Sequence, residues 1–588
     1  MTRRSPWLDP RNVRAAIVLA IAAAVANGVW LLIDGSAPSW DQSHYLSTTL
    51  EYQRNLESGG PIDLLRSIHT ADPSHGPLFT VAMLPFLYVF GPSANSGLLL
   101  NLLIAPVLYF CAGEIAWTVF KSWSARLLTI VLVATMPLLV GLLHNVLQDF
   151  LLVTLTTLSL LLLLRSEAFQ RRWTTWGMAL AMGLGTLTKV TFPLFVAGPL
   201  LVVLLTVVAS LLSARREGRE SPYDLRRIAV GLGGAAVVYL VVAFAWYGPN
   251  LSATIDYVRS TTSGPLSEGA GPSNPYTFHA ITSFTTGVIN SNLSWIILLV
   301  GLVAVCLSLE RLRALFARPL RWEPLQQLAF LLAWAVVPYL SVALAHNQDV
   351  RLMAPALPAV AILVAGAVTA VRQQRVRLAL AGVAVVLLAY QTLNHVTDVT
   401  PGFLPDEAKV EIGSYAAVVQ LDSEPIGYEQ LPGPDYATPV MEYVEEVARI
   451  EPGGSAAPRT VCLLESEPVI NSNTLGFLAA AREDPYGFAD VVVGPEGEKG
   501  LEAVLAGCNF ALYVKQPAVS PAGDDSRLAL VNEPYAAHHM TPALFKLFQG
   551  PSRVFPLSDQ AKLEHEPDYL SNAAPDRVRV LVRTPGES

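Results

Sequence analysis

The sequence predicts a polytopic α-helical membrane protein with about eleven transmembrane helices, followed by a C-terminal soluble α/β domain. Three observations predict it. Apolar residues make up 52% of the 588 residues and charged residues only 15%, against about 25% charge in an ordinary soluble domain. The apolar residues fall in long blocks, as helices that cross a bilayer require, and the mean hydropathy is +0.43. Charge also divides along the chain. Residues 401–588 carry 28 Asp/Glu against 13 Lys/Arg, a balance of −15, while residues 1–400 carry 19 against 26, a balance of +7. A basic apolar part (1–400) before an acidic part (401–588) reads as a membrane domain and a water-soluble domain. No basic stripe exists outside the short loops, which argues against a nucleic-acid partner.

The first element follows Arg3, Arg4, Arg11 and Arg14, and runs apolar from Ala15 to Ile33. It is too long for a typical cleaved signal peptide and reads as a retained first span. Basic clusters then recur at Lys121/Arg126, Arg165/Arg171/Arg172, Arg215–Arg227, Arg311–Arg321 and Arg372–Arg377. Placing every cluster on the cytoplasmic side gives spans near 14–33, 94–118, 125–143, 150–165, 174–188, 190–212, 228–246, 286–309, 325–345, 352–371 and 378–395. The N-terminus is then cytoplasmic and the C-terminal domain extracytoplasmic, in a bacterial plasma (inner) membrane. The apolar segment Pro77–Phe90 has 14 residues, short of the roughly 20 that a span needs. It reads as a re-entrant or interfacial helix. The exported loops are 34–93, the neighbourhoods of 144–149 and Lys189, then 247–285 and 346–351.

In the tail, Thr460–Glu465, Asp490–Val493, Phe510–Val514 and Val578–Val582 read as strands, and Thr474–Arg482 and Gly500–Ala506 as helices. Strands separated by helical stretches predict a small parallel-type sheet. The Pro-rich connection 395–458 reads as irregular. Cys462 and Cys508 lie at or beside two of these strands, where they could pair or stay as buried thiols.

Candidate functional residues lie in the exported loops. Trp40-Asp41-Gln42-Ser43-His44-Tyr45 follows the first span, and a helix over 39–55 would put Asp41, His44 and Tyr45 on one face. Asp41 suits a proton acceptor for a hydroxyl; a solvated aspartate or helix cap is the plainer reading. His44 would orient it or contact phosphate. Asp72-Pro73-Ser74-His75-Gly76-Pro77 leads into the short helix, with Gly76 allowing close approach of a neighbour and Pro77 suited to a first helical turn. Asp149 opens a leucine-rich span, where capping alone would explain it; a catalytic or metal-binding role is the alternative. Lys189 interrupts some forty apolar residues on the outward side, as a phosphate contact or a snorkelling cation. His346-Asn347-Gln348-Asp349-Val350-Arg351 ends in an arginine suited to gripping phosphate or to pairing with Asp349. No P-loop, HExxH, GxSxG or paired CxxC occurs.

Together these blocks resemble the GT-C superfamily glycosyltransferases of the protein-mannosyltransferase and aminoarabinose-transferase type, over about residues 13–400. The blocks, in order, are Asp41 before Tyr45, Pro77-Leu78-Phe79, Asp149 at the start of its span, Gly183–Lys189, and Arg351 ahead of Pro355 and Pro358. Two features depart from the pattern. The usual Asp-Glu pair is Asp41-Gln42, and the common Pro-Pro is Gly76-Pro77 with Ser74 or His75 in place of a lysine. The resemblance implies a GT-C-like fold and transfer of a sugar from a polyprenyl-phosphate donor to a glycan, lipid or protein acceptor at the outer face, by inverting displacement. It implies Asp41 as the base, with Asp149 as a second carboxylate. His44, Tyr45, His75, Lys189, His346 and Arg351 would contact substrate. No cofactor is required, although Asp41 and Asp149 leave room for a divalent metal.

Two alternatives remain from the sequence. A non-enzymatic lipid-linked-sugar transporter would place charge near the bilayer midplane and show repeat symmetry. An O-antigen ligase or polymerase-like enzyme would carry its large exported loop late in the membrane domain, not after the first span.

Overall fold

In the computed structural model, the described residues are 10–221, 223–263, 271–272, 274–315, 322–396, 407–412, 415–420, 437–450, 459–463, 471–490, 510–514, 553–554 and 578–582. They form two compact units. The first holds Met1–Asp34, Tyr52–Gly91 and Asn95–Pro432; the second joins Gly35–Glu51 and Pro92–Ala94 to the part of the chain from Gly433 onward. The sequence reading divided the chain near residue 400. The contacts instead group the segment carrying Asp41 with the C-terminal strands and helices.

The helices, in order, are α1 (Pro10–Gly28), α2 (Trp40–Thr70), α3 (Leu78–Phe90), α4 (Ala94–Phe120), α5 (Trp123–Ala134), α6 (Pro137–Leu143), α7 (Gln148–Arg165), α8 (Arg172–Thr188), α9 (Phe192–Arg216), α10 (Leu225–Ser263), α11 (Phe278–Gly287), α12 (Trp295–Leu315), α13 (Trp322–Ala343), α14 (Leu357–Ala370) and α15 (Gln374–Val396). A 3-10 turn, Val350–Ala356, leads into α14. Among the described residues eight helices are long and apolar enough to cross a membrane, and two bent pairs have the same character. The protein is therefore a multi-pass membrane protein. The predicted span 174–188 is α8, which at 17 residues is marginally short. α3 has 13 residues and remains the short apolar helix read from the sequence.

Burial separates the centre of the bundle from its rim. α7 is buried on almost every side, and α4 and α14 are mostly buried. A helix apolar all round belongs inside a bundle. α1, α9, α10 and α15 turn residues such as Val18, Val208, Phe244 and Val386 outward. In water such faces would be unfavourable, whereas hydrocarbon accepts them. α8 packs along both α7 and α10, and α9 along α13.

Several expectations need correction. The span placed at 286–309 is two segments meeting at 98°. Ser294, at φ 70°, makes the corner, so the straight span is α12 and residues 288–293 run across its end. α10 does not stop near 246 but continues to Ser263, because Pro249 is followed by residues that hold helix. α2 breaks at Gly60, φ 72°, followed by Pro61; only glycine takes that φ freely, and proline restarts the helix.

The connection 395–458 is not irregular throughout. It contains the antiparallel hairpin β1 (Glu407–Ile412) and β2 (Tyr415–Gln420), and helix α16 (Ala437–Ile450). Val440, Met441 and Val444 of α16 are buried, an apolar stripe at helical spacing. In the second unit β3 (Arg459–Leu463) pairs in parallel with β4 (Tyr486–Asp490) and β5 (Phe510–Val514), and β7 (Val578–Val582) runs antiparallel to β5 and to β6 (Arg553–Val554). The sheet order is β4-β3-β5-β7-β6. α17 (Ser472–Arg482) links β3 to β4. The strand expected from Asp490 instead ends there. The helix expected at Gly500–Ala506 lies outside the described residues, as does Cys508. Cys462, buried on β3, is disulfide-bonded.

Candidate active site

Three elements distant in sequence bring charge to one point of the first unit. Leu147 is extended, so α7 starts abruptly and Asp149 stands in its first turn, where backbone N–H groups favour a carboxylate. α8 ends at Thr188, and Lys189 leaves it in an extended conformation. Asp349 caps the 3-10 turn that carries Arg351, accepting a hydrogen bond from the Arg351 N–H at 2.8 Å. Lys189 Nζ donates to Asp149 Oδ1 at 2.8 Å. Arg351 Nε lies 3.9 Å from Asp149 Oδ2 and 3.4 Å from Asp349 Oδ2.

The Asp149 side chain is 3% exposed, that of Lys189 15% and that of Arg351 17%. A buried carboxylate is tolerable only when paired, and here two cations reach it. The two carboxylates balance the two cations. The sequence leaves Lys189 as a phosphate contact or a snorkelling cation and Arg351 as a phosphate grip or a partner of Asp349; in the structure Asp149 and Asp349 supply their counter-charges. Arg351 is held by both, not by Asp349 alone.

The surrounding loops are braced by polar side chains inside apolar segments. Asn101 Nδ2 donates to the carbonyls of Leu142, Leu143 and Asn145 at 2.9–3.4 Å, fixing the tight turn into α7. His144 stacks on Trp30 with ring centroids 4.4 Å apart, and its Nε2 lies 3.3 Å from the Asn27 carbonyl. Burial pushes its imidazole down to about 4, so it is neutral. Tyr247 donates to the Thr186 carbonyl at 2.7 Å, anchoring the end of α8. Asn292 Nδ2 donates to the Val350 carbonyl at 2.8 Å. Gly76 faces the Leu187 backbone so closely that a Cβ would stand 2.1 Å from its carbonyl oxygen. Sequence reading singled out none of Asn101, Tyr247 or Asn292, although an Asn or Glu inside an apolar span is itself a signal.

The remaining candidates lie elsewhere. His75 Nδ1 is 2.9 Å from Asp72 Oδ2, and Asp72 also accepts the Ser74 and His75 N–H groups. The His75 ring stands edge-on to Tyr257. His346 is exposed and is not part of the Asp149 cluster. Asp41, His44 and Tyr45 are in the second unit, in the opening turns of α2, where the predicted i, i+3, i+4 spacing holds. Asp41 is exposed, Tyr45 is buried, and the His44 ring is edge-on to it at 5.7 Å.

These features define a multi-pass helical membrane protein with an α/β unit and a buried, charge-balanced cluster. Its fold is similar to that of the solved membrane protein ArnT. Over 97% of this chain and 99% of the other, it matches the crystal structure of ArnT from Cupriavidus metallidurans bound to undecaprenyl phosphate, with TM-score 0.54 at 13% identity. The same enzyme in the apo state matches with TM-score 0.54 at 14% identity and the same coverage. Residues 74–216 match the family described as dolichyl-phosphate-mannose-protein mannosyltransferase; this segment contains His75, Asp149 and Lys189. No curated protein matches the chain. The resemblance to the protein-mannosyltransferase and ArnT type of GT-C protein therefore holds at the level of fold and of this segment.

Proposed function

We propose that the chain is a membrane glycosyltransferase that moves a sugar from a polyprenyl-phosphate donor to an acceptor hydroxyl at the outer face of a bacterial inner membrane. The observation that carries the reading is the meeting of Lys189 and Arg351 on one buried carboxylate, in a fold shared with an enzyme solved with undecaprenyl phosphate.

In this reading the acceptor oxygen bonds to the anomeric carbon as the bond from that carbon to the phosphate oxygen breaks. The bonding pair leaves with the lipid phosphate, and the acceptor proton passes to Asp41. Displacement from the opposite face inverts the anomeric centre. Lys189 and Arg351 stabilise charge as it builds on the departing phosphate, which is where preorganised cations contribute most. Asp149, already engaged by both, keeps them converged between turnovers. His44, Tyr45, His75 and His346 contribute to substrate contact; a phosphate leaving group requires no separate acid, and a divalent metal is optional.

Titration of undecaprenyl phosphate into purified protein in nanodiscs tests the phosphate site. Lys189→Ala and Arg351→Ala should each weaken binding by roughly 10- to 150-fold, the scale of a lost charge-assisted hydrogen bond. Unchanged affinity in both variants would remove the site.

A further inference from the structure

The opening of α2 is held from outside the helix, by α17 of the α/β unit. The Thr474 hydroxyl, fully buried, donates to the Pro38 carbonyl at 2.9 Å. The Ser43 hydroxyl, also fully buried, donates to the same carbonyl at 2.6 Å and lies 3.4 Å from Thr474 Oγ1. Asn473 Nδ2 reaches the Trp40 carbonyl at 3.4 Å. Trp40, directly before Asp41, has φ 22°, a backbone region that a bulky residue seldom adopts. Such conformations persist only where surrounding contacts over-determine them.

The gripping turn is itself fixed. The Asn471 side chain caps α17 by accepting the Thr474 N–H at 2.9 Å. The Ser472 N–H donates to Asp490 Oδ1, at the end of β4, at 3.1 Å. The sheet thus transmits its rigidity through one helical turn to the residues on either side of Asp41.

We propose that Thr474 is a positioning residue: α17 clamps the Pro38–Ser43 turn and so sets the direction of the Asp41 carboxylate. This rests on the reading of Asp41 as the base. These bonds involve the Pro38 and Trp40 carbonyls and the Ser43 hydroxyl of the turn, not the Asp41 carboxylate. The sheet and α17 would then serve the reaction without touching substrate.

The test compares Thr474→Val, which keeps shape and loses the hydroxyl, with Thr474→Ser, which restores it. Hydrogen exchange in the full-length protein in nanodiscs reads the clamp through amides of residues 39–46. Thr474→Val should speed that exchange about tenfold, the scale of one lost buried hydrogen bond. Undecaprenyl phosphate affinity should stay within about twofold, since no direct bond to the phosphate site is removed. In a deletion strain, Thr474→Val should restore about tenfold less glycosylated product than wild type, by mass spectrometry, and Thr474→Ser should restore most of it. Asn473→Ala, at a half-exposed position that leaves no cavity, should act in the same direction.

Unchanged exchange in both Thr474→Val and Asn473→Ala would overturn the clamp. Faster exchange with wild-type product would overturn its role in the reaction, as would Thr474→Ser failing as badly as Thr474→Val. Asp41→Asn, measured in parallel, separates the two ideas. Product restored by Asp41→Asn would sink the base assignment, and the positioning role with it, even where the exchange data still show a clamp.

Discussion

Lys189 and Arg351 differ in what they offer an anion. Lysine presents a point charge on a flexible stem, and arginine a planar fork. Arg351→Lys should therefore recover only part of the undecaprenyl phosphate affinity lost in Arg351→Ala; full recovery would mean that charge alone matters there. A second residue gives a pH signature. His144 is pushed from 6.5 to about 4 by burial, with the Asn27 carbonyl pulling weakly the other way. Between those values the unfolded chain binds a proton that the folded chain refuses, so stability rises with pH. This contribution is fully present above pH 6.5 and is lost as pH falls toward 4. Thermal unfolding of the purified protein should show that decline, and His144→Gln should flatten it; an unaltered profile would show that His144 is not the group responsible. Asp41, His44, Lys189 and Arg351 were legible as candidates because polar residues at the ends of apolar blocks stand out. The Arg351–Asp349 pair was legible too, but the meeting of Lys189 and Arg351 on Asp149 was not. That meeting depends on packing between α7, α8 and the 3-10 turn, and nothing in local spacing encodes it.

At the scale of elements, the apolar helices were readable from length and hydropathy, while their bends were not. The corner at Ser294 requires a positive φ at a non-glycine residue, against the local preference. The buried ion cluster between α4, α5 and α7 was equally hidden. Glu114 is 2% exposed and pairs with Arg126, which is equally buried, and with Arg165 at 2.7 Å. Arg126 also lies over the Trp117 and Trp123 rings. In the sequence Arg126 and Arg165 were read as topology markers, and they are also the ties between three helices. Glu114→Ala leaves Arg126 buried without its partner, so stability should fall by about 3–5 kcal/mol. Thermal unfolding in detergent measures it, and a loss within experimental error would show that water or lipid replaces the carboxylate.

Across the whole molecule, the alternating basic clusters predict an extracytoplasmic α/β unit. Glu442, exposed on α16, offers a test. Glu442→Cys should react with an impermeant thiol reagent in intact cells, and Arg219→Cys, beyond α9, only after lysis. The reverse pattern would invert the topology. The sheet of the α/β unit was legible in β3, β5 and β7, whose apolar runs fit buried strands. Its association with the Asp41 segment was not, because that contact joins residues more than four hundred positions apart through single hydroxyls. The central question is whether the chain moves sugar from lipid to acceptor through Asp41. The most direct measurement is mass spectrometry of envelope lipids and glycans from a deletion strain carrying either the wild-type gene or Asp41→Asn. Wild type should restore a glycosylated product missing from the deletion strain, and Asp41→Asn should lower it about 100-fold, the scale of a lost general base. An identical set of glycans with and without the gene, or full restoration by Asp41→Asn, would rule out sugar transfer through Asp41.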